Sequence, residues 1–281
     1  MTSVPAPVRP VAGLARLPAP LLFMVGAVSQ YVGAAIAIGL FAVLPAVGVG
    51  WLRIVGAAGV MLAWRRPWRG AWTRRRLLLV AAFGTALAAM NLCFYLAVER
   101  LPLGTAVAIE FLGPIAVAAA GTRGRRNAMA LALAVAGVAL LADVQLRGSP
   151  SGVAFALAAA GLWAAYILLG SRVDGVDGLA AGMALGALIV APVAGPAAAP
   201  AFADAGLLLT CVAVGVLSSA LPYALDQIVL RRVPAAHFAL LLALLPATAA
   251  AVGLIALGQV PTPAEAIGIA LVIAAVATRA R

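Results

Sequence analysis

Apolar runs follow one another along almost the whole chain, broken at short intervals by arginine clusters, prolines and glycines. A helix needs about 20 mainly apolar residues to cross a bilayer, where only helices and closed barrels satisfy their own backbones. Cutting the runs at charges, prolines and glycines predicts ten helical spans, at about 21–43, 46–64, 77–98, 103–121, 127–143, 151–170, 178–197, 206–229, 236–257 and 263–278. The fold class expected from this pattern is an all-α integral membrane protein with ten transmembrane helices. The fifth and tenth runs are the least well marked.

One block occurs twice inside this pattern. Arg100-Leu101-Pro102, Pro114, Ala118-Ala119 and Gly121 recur 132 residues later as Arg232-Val233-Pro234, Pro246, Ala250-Ala251 and Gly253. Ten spans in two copies give five per copy, and an odd number forces the second copy to enter the membrane upside down. Pro102 accordingly opens the fourth span from outside, and Pro234 the ninth from inside. The expected organisation is a tail (1–20) and two inverted five-helix repeats, 21–143 and 151–278. Inverted halves supply two access states of similar energy, the basis of alternating access in transporters. A duplication kept for packing alone is the competing reading.

Charge placement fixes the expected orientation. With the N-terminus inside, 16 arginines fall on inner loops and tails, Arg100 and Arg147 fall outside, and Arg53 is left within a span. The positive-inside bias therefore puts both chain ends in the cytoplasm. Composition agrees: 65% apolar and 10% charged residues, with mean hydropathy +1.15, exclude an ordinary soluble domain. The net charge of +11 does not imply nucleic acid, because the arginines sit in short clusters rather than in a basic stripe with interleaved aromatics. Cys93 and Cys211 lie in apolar runs without metal-ligand spacing and read as small core residues. No cofactor or metal is expected, and no oligomeric state is implied. The apolar run from Pro20 to Leu44 exceeds a signal-peptide core, so an uncleaved first helix is expected.

Polar groups inside the apolar runs are the candidate chemistry. A charge at mid-membrane costs at least about 2.5–3.5 kcal/mol on insertion scales, so each calls for a partner or a function. Arg53 lies early in the second span and Glu110 near the middle of the fourth. They could pair with each other, or Arg53 could reach the outer interface. Alternatively, one guanidinium and one carboxylate suit the two charged ends of an amino-acid substrate. Glu110 is then also the candidate carrier of a coupling proton. Further polar and aromatic candidates are Gln30 and Tyr31 on the first span, Asn91 and Tyr95 on the third, Trp163 and Tyr166 on the sixth, and Ser218 and Tyr223 on the eighth. Interhelical hydrogen bonding or an aromatic belt would explain any one of these equally. Asp226, Gln227 and His237 are expected near the cytoplasmic mouth. Pro114, Pro222 and Pro246 sit within spans, where each removes a helix hydrogen bond and makes a kink or hinge.

At these residues the chain resembles the drug/metabolite transporter superfamily, specifically the EamA-type permeases, and most of all the bacterial threonine/homoserine exporters. The resemblance rests on Trp51-Leu52-Arg53, on the stretch from Ala89 through Asn91 and Tyr95 to Glu110 and Pro114, on Trp163 to Leu168, and on Leu217 to Tyr223. It implies outward movement of small amino acids or related metabolites through a central cavity, driven by the proton gradient. Carried over by position, it marks Arg53, Asn91, Tyr95, Glu110, Trp163, Tyr166 and Tyr223. Two departures stand out: Leu245 replaces an acid before Pro246, and Gln259 replaces an acid after Gly258. Efflux of aromatic amino acids or cationic drugs is the alternative if aromatic residues line the cavity. A membrane-embedded enzyme is disfavoured by a single histidine and the lack of an HExxH motif. A passive channel would carry flux without proton dependence.

Overall fold

The computed structural model describes residues 17–69, 72–121, 124–146, 149–173, 175–230, 232–233 and 241–280. His237, most of the predicted tail and residues 236–240 of the ninth expected span lie outside the described residues. The helices are α1 (Ala19–Leu40), α2 (Ala46–Arg65), α3 (Arg74–Val98), α4 (Leu103–Glu110), α5 (Leu112–Gly121), α6 (Arg125–Leu146), α7 (Pro150–Gly170), α8 (Gly175–Ala198), α9 (Ala205–Gly215), α10 (Leu221–Leu230), α11 (Leu244–Leu257) and α12 (Pro263–Ala280). A π-helical turn, Val216–Ala220, joins α9 to α10. No strand occurs among the described residues.

Local sequence explains where helices begin. Pro18, Pro45 and Pro102 precede α1, α2 and α4 with φ of −57°, −56° and −55°, the value the pyrrolidine ring imposes. Before α9, Asp204 accepts from the N–H groups of Gly206 and Leu207 at 2.8 and 3.1 Å, satisfying donors with no helical partner. At the other end of α11, Gly258 takes φ 65°, the left-handed cap that closes the helix.

Among the described residues, six helical stretches are long and apolar enough to cross a membrane: α1, α2, α3, α7, α8 with its following turn, and the stretch from α9 to Asp226. The fourth expected span is not one helix. It breaks at Phe111 (φ −63°, ψ −14°), and the ninth breaks in nearly the same way at Ala243 (φ −62°, ψ −18°). Each break lies three residues before a proline, Pro114 or Pro246. A proline lacks the N–H that would bond the carbonyl four residues back, here Glu110 and Leu242.

Packing follows small residues. α3 packs on α7 and α8, α1 on α10 and α11, α2 on α8 and α9, α4 on α7 and α11, and α6 on α12. A Cβ on Gly84 would overlap the Gly182 carbonyl, so α3 and α8 approach backbone to backbone, as small residues permit in membranes. Gly137 and Gly268 bring α6 and α12 together, which explains how the two most weakly marked runs hold as helices. Leu188, Val193, Leu209 and Ile255 are exposed on the outside while Arg53, Asn91 and Glu110 are buried. That inversion of the usual pattern suits lipid as the surrounding solvent.

Candidate functional site

Both helix breaks border a cavity of about 110 Å³, well above the roughly 10–15 Å³ that admits a water. α1 contributes Gln30, Tyr31 and Ala34, α2 contributes Arg53, and α3 contributes Met90, Asn91 and Phe94. The remaining wall is Glu110 at the end of α4, Trp163 and Tyr166 of α7, Tyr223 and Asp226 of α10, and Leu242 and Leu245 beside the second break.

Arg53 is 5% exposed and turned into the protein, not out to the interface. Its Nε donates to Ser219 Oγ at 3.1 Å and its Nη2 to the Ser218 carbonyl at 2.9 Å. Pro222, four residues beyond Ser218, has no N–H to give that carbonyl. The Tyr95 ring lies 5.2 Å from the guanidinium carbon, a cation–π contact on the protein side. Two of five guanidinium donors are thus spent on positioning, and the group forms part of the cavity wall.

Glu110 ends α4, is 8% exposed, and makes no hydrogen bond or ion pair with any described residue. The sequence alternative in which Arg53 and Glu110 form an ion pair is therefore not realised, although Glu110 lies within the electrostatic reach of Arg53. Tyr31 and Tyr223 each lie within reach of Arg53, Glu110 and Asp226 together, which places the two tyrosines among all three charges. Asn91 spends its amide on the Leu87 carbonyl at 2.8 Å. Trp163 meets Phe111 edge to face at 5.0 Å, and Tyr166 stacks on Phe83 at 4.9 Å, so both rings are held from behind.

Eight of the ten sequence candidates meet at this cavity, and two stand behind it. Tyr95 is fully buried against α2, where Gly50 leaves room for its ring. Ser218 is 2% exposed, bonds back to the Val214 carbonyl and is pressed by Gly33 of α1. Asp226 was missed as a wall residue. Its position three residues after Tyr223 puts both on one helix face, a signal present in the sequence. Among the described residues, no group of three or more metal-ligating side chains occurs.

The cavity walls carry the 132-residue spacing found in the repeated block. Tyr31 and Trp163, Ala34 and Tyr166, Asn91 and Tyr223, Phe94 and Asp226, and Glu110 and Leu242 are all separated by it. The block itself lies in the fourth and ninth spans; the spacing now holds for residues of the first and sixth, and the third and eighth.

Comparison with known proteins gives a consistent result. Residues 150–278 match the EamA-like transporter family. The chain is 36% identical over 261 residues to the threonine/homoserine exporter RhtA of Escherichia coli (strain K12), covering 91% of this chain and 88% of that protein. The same identity and coverage hold for the threonine/homoserine exporter RhtA of Salmonella typhimurium (strain LT2). A solved crystal structure is similar over 92% of this chain and 95% of its own, with TM-score 0.57 and 20% identity, a likeness of fold.

Proposed function

Because this chain belongs to the EamA-like transporter family and is a multi-pass membrane protein, we propose that it exports small amino acids, of the threonine and homoserine kind, across a bacterial inner membrane. The mechanism is alternating access between two inverted five-helix halves, 21–143 and 151–278. Two observations support the halves. The cavity walls fall into pairs of constant spacing, and the packing partners exchange: α3 on α7 answers α1 on α10, α3 on α8 answers α2 on α9, and α4 on α7 answers α1 on α11. The family match over 150–278 covers one such half. The arginine bias supports both chain ends lying in the cytoplasm.

The observation that carries the substrate class is a cavity holding one positioned guanidinium and a buried carboxyl without an ion pair between them. Arg53 takes the substrate carboxylate through the donors Ser218 and Ser219 leave free. Glu110 carries the coupling proton and, when ionised, faces the ammonium group. Aromatic efflux is the second reading, favoured by Tyr31, Trp163, Tyr166 and Tyr223 in the wall.

Efflux of labelled threonine and homoserine from loaded vesicles, with and without an imposed proton gradient, tests the reading. Gradient-dependent efflux is expected. Arg53→Gln should raise KM about tenfold or more, the loss of a charge-assisted bond worth about 1.5–3 kcal/mol. Faster efflux of phenylalanine than of threonine would move the assignment to the aromatic reading.

A further inference from the structure

Two carboxylates, not one, face the cavity, and they differ in their surroundings. Glu110 is buried at 8% exposure, whereas Asp226 is partly exposed in the last turns of α10. Asp226 makes no hydrogen bond or ion pair with any described residue, and it acts electrostatically on Tyr31, Tyr166 and Tyr223. A zwitterionic substrate offers one ammonium, and Arg53 needs only one counter-charge. The second carboxylate therefore requires a job of its own.

The spacing of the walls sharpens that job. The residue matching Asp226 in the other half is Phe94, which is 8% exposed. If the halves exchange conformations, the place Asp226 holds near one mouth is held near the opposite mouth by an aromatic ring. The cavity is thus charge-asymmetric between its two ends even where its backbone is repeated.

We propose that Asp226 receives the substrate's ammonium group at the mouth nearer the C-terminal end of α10, and that Phe94 leaves the opposite mouth without such a receptor. Glu110, deeper in the cavity, is then released from holding the ammonium and is free to exchange its proton. The arginine bias makes the Asp226 mouth the cytoplasmic one, so the loading side selects for an ammonium and the release side does not. This inference rests on the exporter reading and deepens it.

The test uses purified full-length protein in liposomes of determined orientation, with threonine presented on either face. A parallel series uses 2,3-dihydroxybutyrate, the analogue with a hydroxyl in place of the ammonium. Asp226→Asn should raise the threonine KM about tenfold or more on the Asp226 face, leaving the other face and the analogue little changed. Asp226→Glu should restore most of the affinity, and Phe94→Asp should lower the threonine KM on the far face. A structural role for Asp226 would instead move both faces and both substrates together, and that result overturns the proposal. An unchanged KM on the Asp226 face in Asp226→Asn overturns it equally. If the wild type moves neither threonine nor homoserine, the exporter reading fails first and this inference with it.

Discussion

The breaks at Phe111 and Ala243 are the same backbone device with opposite chemistry. Their dihedral angles agree within a few degrees, and each precedes a proline by three residues. Yet the first break presents Glu110 to the cavity and the second presents Leu242. Each proline removes a helix hydrogen bond whatever the neighbouring side chains are. A buried carboxyl, however, costs free energy and must be placed where it works. The two breaks thus share a backbone shape and differ in the charge they bring to the cavity. The same contrast separates Asn91 from Tyr223 and Phe94 from Asp226.

Several changes would break or sharpen this contrast. The largest effect is expected from Glu110→Gln, which should reduce gradient-driven efflux to background while the protein still inserts at its normal level. Unchanged efflux in that variant would remove Glu110 from the mechanism. Next, Leu242→Glu adds a carboxyl at the second break and should cost about 2.5–3.5 kcal/mol of insertion free energy, read as a lower inserted yield. Combining it with Glu110→Leu should not restore efflux, because Arg53 lies in the first half only. Restoration would mean the two breaks are interchangeable.

Smaller effects test the shared scaffold. Gly84→Ala forces a methyl against the Gly182 carbonyl and should cost about 1–3 kcal/mol, seen as a lower unfolding midpoint in detergent with an unchanged KM. Gly56→Ala, at the contact of α2 with α9, meets Val212 Cα at 3.0 Å and should cost less. The smallest change is expected at the Arg65–Asp177 ion pair, 2.7 Å long and partly exposed, which ties α2 to α8. Asp177→Asn should alter stability by no more than about 1 kcal/mol.

The all-helical fold was legible because membrane spans have a required length and a required composition. Arg53 and Glu110 were legible because charge is rare in such runs. Where the sequence reading stopped short, the reason is rotational. Asn91 lies between Phe94 and Tyr95 around α3, and spacing alone does not say which neighbour faces the cavity; Gly50 on α2 admits Tyr95, and Phe94 turns inward. The π turn at Val216–Ala220 was invisible for a related reason. It buries Ser218 behind the wall, a detail that depends on Gly33 across the interface. Asp226 was read as a mouth residue from its depth, and its place in the wall emerges only with Tyr223 beside it.

The central claim is that two oppositely oriented halves surround one charged cavity and open it to each side in turn. It is tested most directly by thiol accessibility, with Cys93 and Cys211 replaced by alanine and single cysteines introduced as Phe94→Cys and Asp226→Cys. Membrane-impermeant reagent should label position 226 faster from the cytoplasmic face and position 94 faster from the opposite face, with each also reached from the other face when the cavity opens there. Labelling of both positions from one face alone, with none from the other, would contradict the account.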